Sequence, residues 1–435
     1  MRDLTTSANR YDTTIIHGAR CAVGPNECVR GSVEIVGGRL RHIFDSQPQS
    51  SATSIEINLD GFLLMTGLIN AHDHLEFALH PRLGNPPYQN YIEWGEDIHD
   101  TLPHVIAMYK LVPRHVRLWW GVIRNLLCGV TTVCHHGELW PELQREDFPL
   151  RVVQQYGWAH SLALGGDLRQ AHSATDEGRP FIVHACEGVD DLARRELIGL
   201  DRIGVLNANT VLVHGLMVDC AGAALLHERG VSLIICPSSN HFLFGKLPDI
   251  DLLSAVKNMA LGNDSPLTAT GDLLDEIRFA IENCGIAPDK IYHMVTEIAA
   301  AILRLGKGEG TMQASGVADL IAIRDTGDNA ANRLRMLSFV DVEFVMVGGQ
   351  IQLASEIVWE RLSPQMRQGL EPLWIEGNIR WLRAPVKGLL QKTEAALGPG
   401  KVQLGGHPIR IPDMGVDTNN GGNRVSNMYV GLGGT

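Results

Sequence analysis

The sequence predicts an α/β protein, a TIM-like (β/α)8 barrel with a small β-sandwich domain built from both ends of the chain. Three observations predict it. Two hairpins with the same grammar flank the main body of the 435 residues. Between them, short apolar runs alternate with helical stretches. Polar residues able to hold a metal stand directly after several of those runs.

The first hairpin alternates through Ser32-Val33-Glu34-Ile35-Val36, turns at Gly37-Gly38 and returns over 39–43. The second runs over 342–347, turns at Gly348-Gly349 and returns over 350–353, with one more short strand at 318–323. Short hairpins do not stand alone in water, so the two ends are expected to pair. In the middle, 62–68, 130–134, 158–164, 181–183, 210–213, 231–236 and 258–261 read as buried strands, and 192–200, 221–229, 272–283 and 288–305 as helices. Continuous apolar strands separated by helices imply a parallel sheet covered on both faces. That gives seven strands, not eight, and the 165–180 interval is too short for a helix plus another strand. One strand is therefore expected to be missing or irregular. The expected division is 1–62 and 307–362 for the β-sandwich, 63–306 for the barrel, and a C-terminal extension over 363–435. Within that extension 374–397 reads as partly helical, with Pro385 breaking or starting the helix, and the Gly- and Asn-rich end from Gly415 reads as mobile.

Composition narrows the function. Apolar residues make up 45% and charged residues 20%, as in ordinary globular proteins. The net charge of −12 (37 basic against 49 acidic residues) speaks against nucleic acid or an anionic membrane as partner. No apolar run approaches the ~18 residues of a membrane helix. Residues 1–12 are polar and lack a signal-peptide core. The eight cysteines are scattered without a C-x-x-C pair, which fits reduced thiols and a cytoplasmic location.

The chemistry sits after the strands. His72-Asp73-His74, His184-Ala185-Cys186-Glu187, His214, Asp264 and Cys236-Pro237-Ser238-Ser239-Asn240 each close an apolar run. In a barrel these positions share the C-terminal rim, where active sites form. Residues i and i+2 of a strand face the same way, so His72 and His74 can meet one ion. With His184 and Asp264 the donors become three imidazoles and one carboxylate, a set that suits Zn²⁺, with Fe²⁺ the next candidate. An open position for water makes such a site catalytic, because the metal lowers the water's pKa towards ~7. Taken singly, each signal has a plainer reading: a surface or core histidine pair, a helix-start salt bridge, a core His214, an N-cap Asp264. Their joint occurrence in this order favours the metal site.

Together with Gly67-Leu68-Ile69-Asn70-Ala71 before His72, Gly129-Val130-Thr131-Thr132-Val133, Val213-His214-Gly215, Gly262-Asn263-Asp264-Ser265 and Ala318-Asp319-Leu320, these motifs carry a resemblance. The sequence resembles the amidohydrolase superfamily, in particular its cytosine deaminase, guanine deaminase and chlorohydrolase-like branch. The resemblance implies that His72, His74, His184 and Asp264 bind one metal ion and that Asp264 also takes a proton from the bound water. It implies that His214 orients or polarises water and substrate, and that Glu187 carries a proton to the ring nitrogen and then to the leaving amine. Members with two metals carry a bridging lysine; no lysine occurs between Lys110 and Lys246, which points to a mononuclear site. Asn263 stands where a threonine is common.

The implied reaction is deamination of a nitrogen heterocycle. Hydrolysis of a cyclic amide, an N-alkyl group or a carbon–halogen bond is the alternative, and a non-catalytic binding protein a further one. The expected partner is a small heterocyclic substrate, with a homodimer implied by resemblance. The region after His74 is expected to cover the pocket, where Glu76, Trp94, His136 and Phe242 are candidate substrate contacts. Solvent exposure for Glu76, helix core for Trp94, a packing role for His136 and a buried Phe242–Phe244 cluster are the plainer alternatives.

Overall fold

The computed structural model describes residues 13–44, 54–145, 148–269 and 271–413. The expectations for 1–12 and for the end from Gly415 lie outside the described residues. Eight parallel strands run through the middle of the chain: β1 (Leu68–Asp73), β2 (Val130–His135), β3 (Arg151–Val152), β4 (Gly157–Ala159), β5 (Phe181–Ala185), β6 (Thr210–His214), β7 (Ser232–Ile235) and β8 (Met259–Leu261). They form two hydrogen-bonded sheets, β1–β2–β3 and β4 to β8 in sequence order, parallel throughout. All residues of β1, β2 and β5 to β8 are buried, as the continuous apolar runs predict.

The strand missing from the sequence reading is β3. It is two residues long, too short to leave a periodic signal, and pairs with β2 through Arg151 and Val152. The tight 165–180 interval lacks no strand; it holds only the short helix Leu168–Ser173. The run read as one strand over 62–68 is divided. Phe62–Thr66 pairs antiparallel with Leu320–Arg324, and β1 starts after Gly67.

Strands from both ends of the chain share a mixed sheet, in which Phe62–Thr66, Leu320–Arg324, Val342–Val347 and Gln350–Ser355 are neighbours. A four-stranded sheet of Arg39–Phe44, Ser32–Val36, Thr13–His17 and Ser54–Asn58 packs beside it. Ile16, Val33, Ile35, Leu64, Leu320 and Phe344 form one core between them. The two Gly-Gly turns abut. Gly38 has φ +78°, and a Cβ there would lie 2.4 Å from the Gly348 carbonyl oxygen, so glycine is required by both conformation and space.

The C-terminal part corrects the sequence reading. Glu371–Ile375 and Asn378–Leu382 are strands that extend the mixed sheet, and only Val386–Leu397 is helical, starting after Pro385. The alternating face of Trp374 and Trp381 is what the helical reading overlooked. The predicted helix over 288–305 also divides, into Pro288–Met294 and Glu297–Ile302. The long helix Arg114–Leu127 buries Val116, Leu118, Trp120, Val122 and Ile123. The Trp120 indole donates to Thr393 Oγ1 at 2.8 Å, which fastens the Val386–Leu397 helix to it. No helix among the described residues is long and apolar enough to cross a membrane. None of the eight cysteines is disulfide-bonded, and five are buried.

Candidate metal centre and active site

The strand ends deliver the chemistry to one place. His72 is the penultimate residue of β1, His184 lies in β5 and His214 at the end of β6, while His74, Glu187 and Asp264 follow their strands by one to three residues. Cys186, His214 and Asp264 have φ of 57°, 76° and 58°, left-handed values that non-glycine residues adopt at a cost of ~1–2 kcal/mol each. These turns bend the chain at the strand ends, and neighbours hold them there. The Cys186 N–H donates to Glu196 Oε2 at 2.7 Å, and the Asp264 N–H donates to the His72 carbonyl at 3.1 Å.

The donor atoms converge. His72 Nε2 and His74 Nε2 lie 3.5 and 3.6 Å from Asp264 Oδ1, and His184 Nε2 lies 3.2 Å from His72 Nε2. The donors of His72, His74 and Asp264 lie within 4.8 Å of one another, as do those of His72, His184 and His214. His184 Nδ1 lies 2.9 Å from the His160 carbonyl, so it carries the hydrogen and Nε2 presents a lone pair to the centre. Imidazole nitrogens and a carboxylate oxygen this close together suit one divalent cation. The structure thus brings together all four predicted metal ligands, with Glu187 and His214 beside them at 3.5 Å (Oε2 to Nε2).

Electrostatics divides the groups. Burial, reinforced by neighbouring imidazoles, holds His184 well below the usual histidine range, and burial brings His214 down to about 4, so both rings are neutral ligands or acceptors near pH 7. Burial opposes ionisation of Asp264. The hydrogen bond from His72, and then the electrostatic influence of the His214, His72 and His74 imidazoles, outweigh it and keep this carboxyl well below its usual range. Ser239 Oγ and Thr268 Oγ1 donate to its Oδ2 at 2.7 and 3.2 Å, leaving Oδ1 towards the histidines. Glu187 goes the other way: burial, then the negative charges of Asp264 and Glu196, raise it well above the carboxylate range. His214 Nδ1 rests 3.0 Å from Asn240 Oδ1, which orients the ring.

The tentative contacts are placed as follows. Glu76 Oε2 lies 3.6 Å from His135 Nδ1, with about a fifth of its side chain exposed. His136 is stacked on His184, centroids 4.2 Å apart, with Nε2 3.1 Å from the Ala159 carbonyl. The Trp94 indole N–H donates to Leu83 O at 3.0 Å. Trp94 and Phe242 are partly buried and pack against Tyr88, Leu216, Leu243 and Phe244. The segment after His74 does cross the strand ends: Leu83 N donates to Leu267 O, Tyr88 N to Leu243 O, and Val189 N to Gln89 O.

Two groups escaped the sequence reading. Glu196, on the helix Asp191–Arg202, accepts from Cys186 N and from the Tyr91 hydroxyl (3.0 Å), and burial raises it to about 7. Asp73, between the two histidines, pairs with Arg124 at 2.7 Å in a fully buried cluster with Asn70, Asn125 and Asn263. A glutamate or arginine in an amphipathic helix reads as solvent-facing, so no signal marked Glu196 or Arg124. Asn263 was marked only as an unusual residue.

Comparison with known proteins agrees with this geometry. The sequence model of the Amidohydrolase family matches residues 159–352. A 5-methylthioadenosine/S-adenosylhomocysteine deaminase of Natronomonas pharaonis is 29% identical over 202 residues, 41% of this chain and 46% of that protein, so the match spans less than half of that relative's length. The Haloquadratum walsbyi protein of the same name is 28% identical over 357 residues, 67% of this chain and 79% of that one. The structure of atrazine chlorohydrolase from Arthrobacter aurescens complexed with zinc superposes with a TM-score of 0.68 at 15% identity, covering 88% of this chain and all (100%) of that one. That likeness of fold makes β1 to β8 the strands of a TIM-like barrel. In its motifs, its converging ligands and the family model over residues 159–352, the chain is similar to the amidohydrolase superfamily, and the relatives it matches carry the names of deaminases.

Proposed function

We propose that this protein is a zinc-dependent aminohydrolase that exchanges the exocyclic amine of a nucleoside-like nitrogen heterocycle for a carbonyl oxygen and releases ammonia. The observation that carries the reading is the convergence of His72, His74, His184 and Asp264 at the strand ends, with Glu187 Oε2 3.5 Å from His214 Nε2 beside them. A zinc ion held by His72, His74, His184 and Asp264 would lower the pKa of water towards ~7 and act as a Lewis acid. Asp264 takes the proton that water loses as its oxygen adds to the amine-bearing carbon. Glu187 gives its proton to the ring nitrogen in the same step. As the carbon–nitrogen bond breaks, Glu187 takes the proton of the new hydroxyl and passes it to the departing amine, and the proton held by Asp264 then returns to Glu187, which restores both carboxyls. His214, fixed by Asn240, orients the reacting groups. The names of the two deaminase relatives support a purine nucleoside bearing a 5′-thioether as substrate.

The same reading takes β1 to β8 as a closed barrel and the two β-sheets of the described residues as a sandwich, which Glu371–Ile375 and Asn378–Leu382 extend. It takes the protein as a cytoplasmic homodimer whose partner is a small molecule, and Glu76, Trp94, His136 and Phe242 as pocket residues. Zinc-loaded protein offered 5′-methylthioadenosine, S-adenosylhomocysteine and a chlorotriazine tests the chemistry. Ammonia from the nucleosides is the expected result. Chloride from the triazine without ammonia from any amine would replace deamination by carbon–halogen hydrolysis.

A further inference from the structure

An irregularity of β1 between Asn70 and Asp73 brings these two side chains to one side, where Asp73 points away from the neighbouring His72 and His74. There it enters a buried cluster that spans three elements. Arg124, on the helix Arg114–Leu127, donates through Nη2 to Asp73 Oδ1 at 2.7 Å and to Asn263 Oδ1 at 2.9 Å, and through Nη1 to Gly271 O at 3.2 Å. Asn125 Nδ2 donates to Asp73 Oδ2 at 2.7 Å. Asn70 Nδ2 lies 3.1 Å from Asp73 Oδ2 and 3.2 Å from Asn263 Oδ1, and Asn70 Oδ1 accepts from Asn263 N at 3.2 Å. All five residues are 3% exposed or less.

The cluster sits where the backbone offers least. β1 and β8 belong to different hydrogen-bonded sheets. Their strand ends approach so closely that a Cβ on Gly262 would lie 2.6 Å from His72 Cβ, and Asp264 N reaches the His72 carbonyl. Two of the four metal ligands come from one side of this junction and a third from the other. A buried ion pair seldom adds net stability over apolar residues of the same size, so its presence here calls for another role.

We propose that Asp73, Arg124 and Asn263 are positioning residues that lock β1 against β8 and so set the distance of His72 and His74 from Asp264. The lock thereby sets the affinity of the site for its divalent ion. The inference rests on the metal reading above. It goes beyond that reading in assigning affinity to residues that touch neither ion nor substrate.

The test is zinc affinity of the full chain, measured by competition with a chelating dye, alongside thermal melting and steady-state kinetics. The double variant Asp73→Leu/Arg124→Met replaces the pair by apolar groups. Zinc affinity should fall roughly 10–100-fold, the range for losing a partner of a metal ligand. The melting temperature of the metal-free form should stay close to that of the parent. With zinc saturating, kcat should fall and KM should hold. Arg124→Lys keeps the charge but cannot reach Asp73, Asn263 and Gly271 together. It should weaken zinc by a smaller factor, and it carries the test if the double variant fails to fold. Zinc affinity within twofold of the parent in the folded variant would overturn the lock and leave the metal reading standing. A parent chain that binds no zinc would overturn both.

Discussion

The two carboxylates of the site live in opposite surroundings. Asp264 faces imidazoles on one oxygen and the hydroxyls of Ser239 and Thr268 on the other, and stays ionised. Glu187 stands among buried groups, and burial, then its two negative neighbours Asp264 and Glu196, raise its carboxyl well above the usual range. One centre therefore holds a base and an acid of nearly the same intrinsic strength, separated by environment alone. The difference is made by identifiable neighbours, His72, His74 and His214 around Asp264, and Asp264 and Glu196 around Glu187, so it can be taken apart one neighbour at a time.

The most severe break is Asp264→Asn. It removes a ligand and the proton acceptor together, and both turnover and tight zinc binding should be lost, read by metal analysis after dialysis. Glu187→Gln is the cleaner cut: the metal should remain while kcat falls by ~10²–10⁴-fold, the usual worth of a positioned proton donor. Retention of full kcat would end the assignment of Glu187. A subtler change is Glu196→Gln. Without that negative neighbour Glu187 releases its proton more readily, so the alkaline fall of kcat should move to lower pH, with a smaller loss of kcat at neutrality. The pH–rate profile decides it.

The smallest effect is on stability. Glu276, buried beneath Ser238 and accepting its N–H at 2.9 Å, is raised from 4.5 to about 8, first by burial. A raised carboxyl stabilises the fold most below its unfolded pKa. Between about 4.5 and 8 the folded chain keeps a proton that the unfolded chain has released, so stability should fall as pH rises through that window. Glu276→Gln should flatten this slope in urea unfolding series at several pH values. An unchanged slope would show that other groups carry it.

Much of this was readable before any coordinates. The hairpins at Gly37-Gly38 and Gly348-Gly349, the fully buried strands and the set His72, His74, His184, Glu187, His214 and Asp264 all follow from local patterns: alternation, continuous apolarity, and polar residues at strand ends. Strand β3 was not readable because two residues carry no period. The strands Glu371–Ile375 and Asn378–Leu382 were mistaken for helix because aromatic residues spaced along a short stretch fit either period. Arg124 and Glu196 were missed for a different reason. Charge in a helix predicts solvent, and only the fold reveals that a buried carboxylate or a backbone N–H awaits it.

The left-handed backbone at Cys186, His214 and Asp264 limits what can replace them. β-branched residues fit poorly there, while glycine and asparagine fit at least as well as the residues present. At Asp264 the backbone therefore tolerates asparagine or glycine, while glycine would leave the buried hydroxyls of Ser239 and Thr268 without their acceptor, so relief of the turn there comes with the loss of two buried hydrogen bonds.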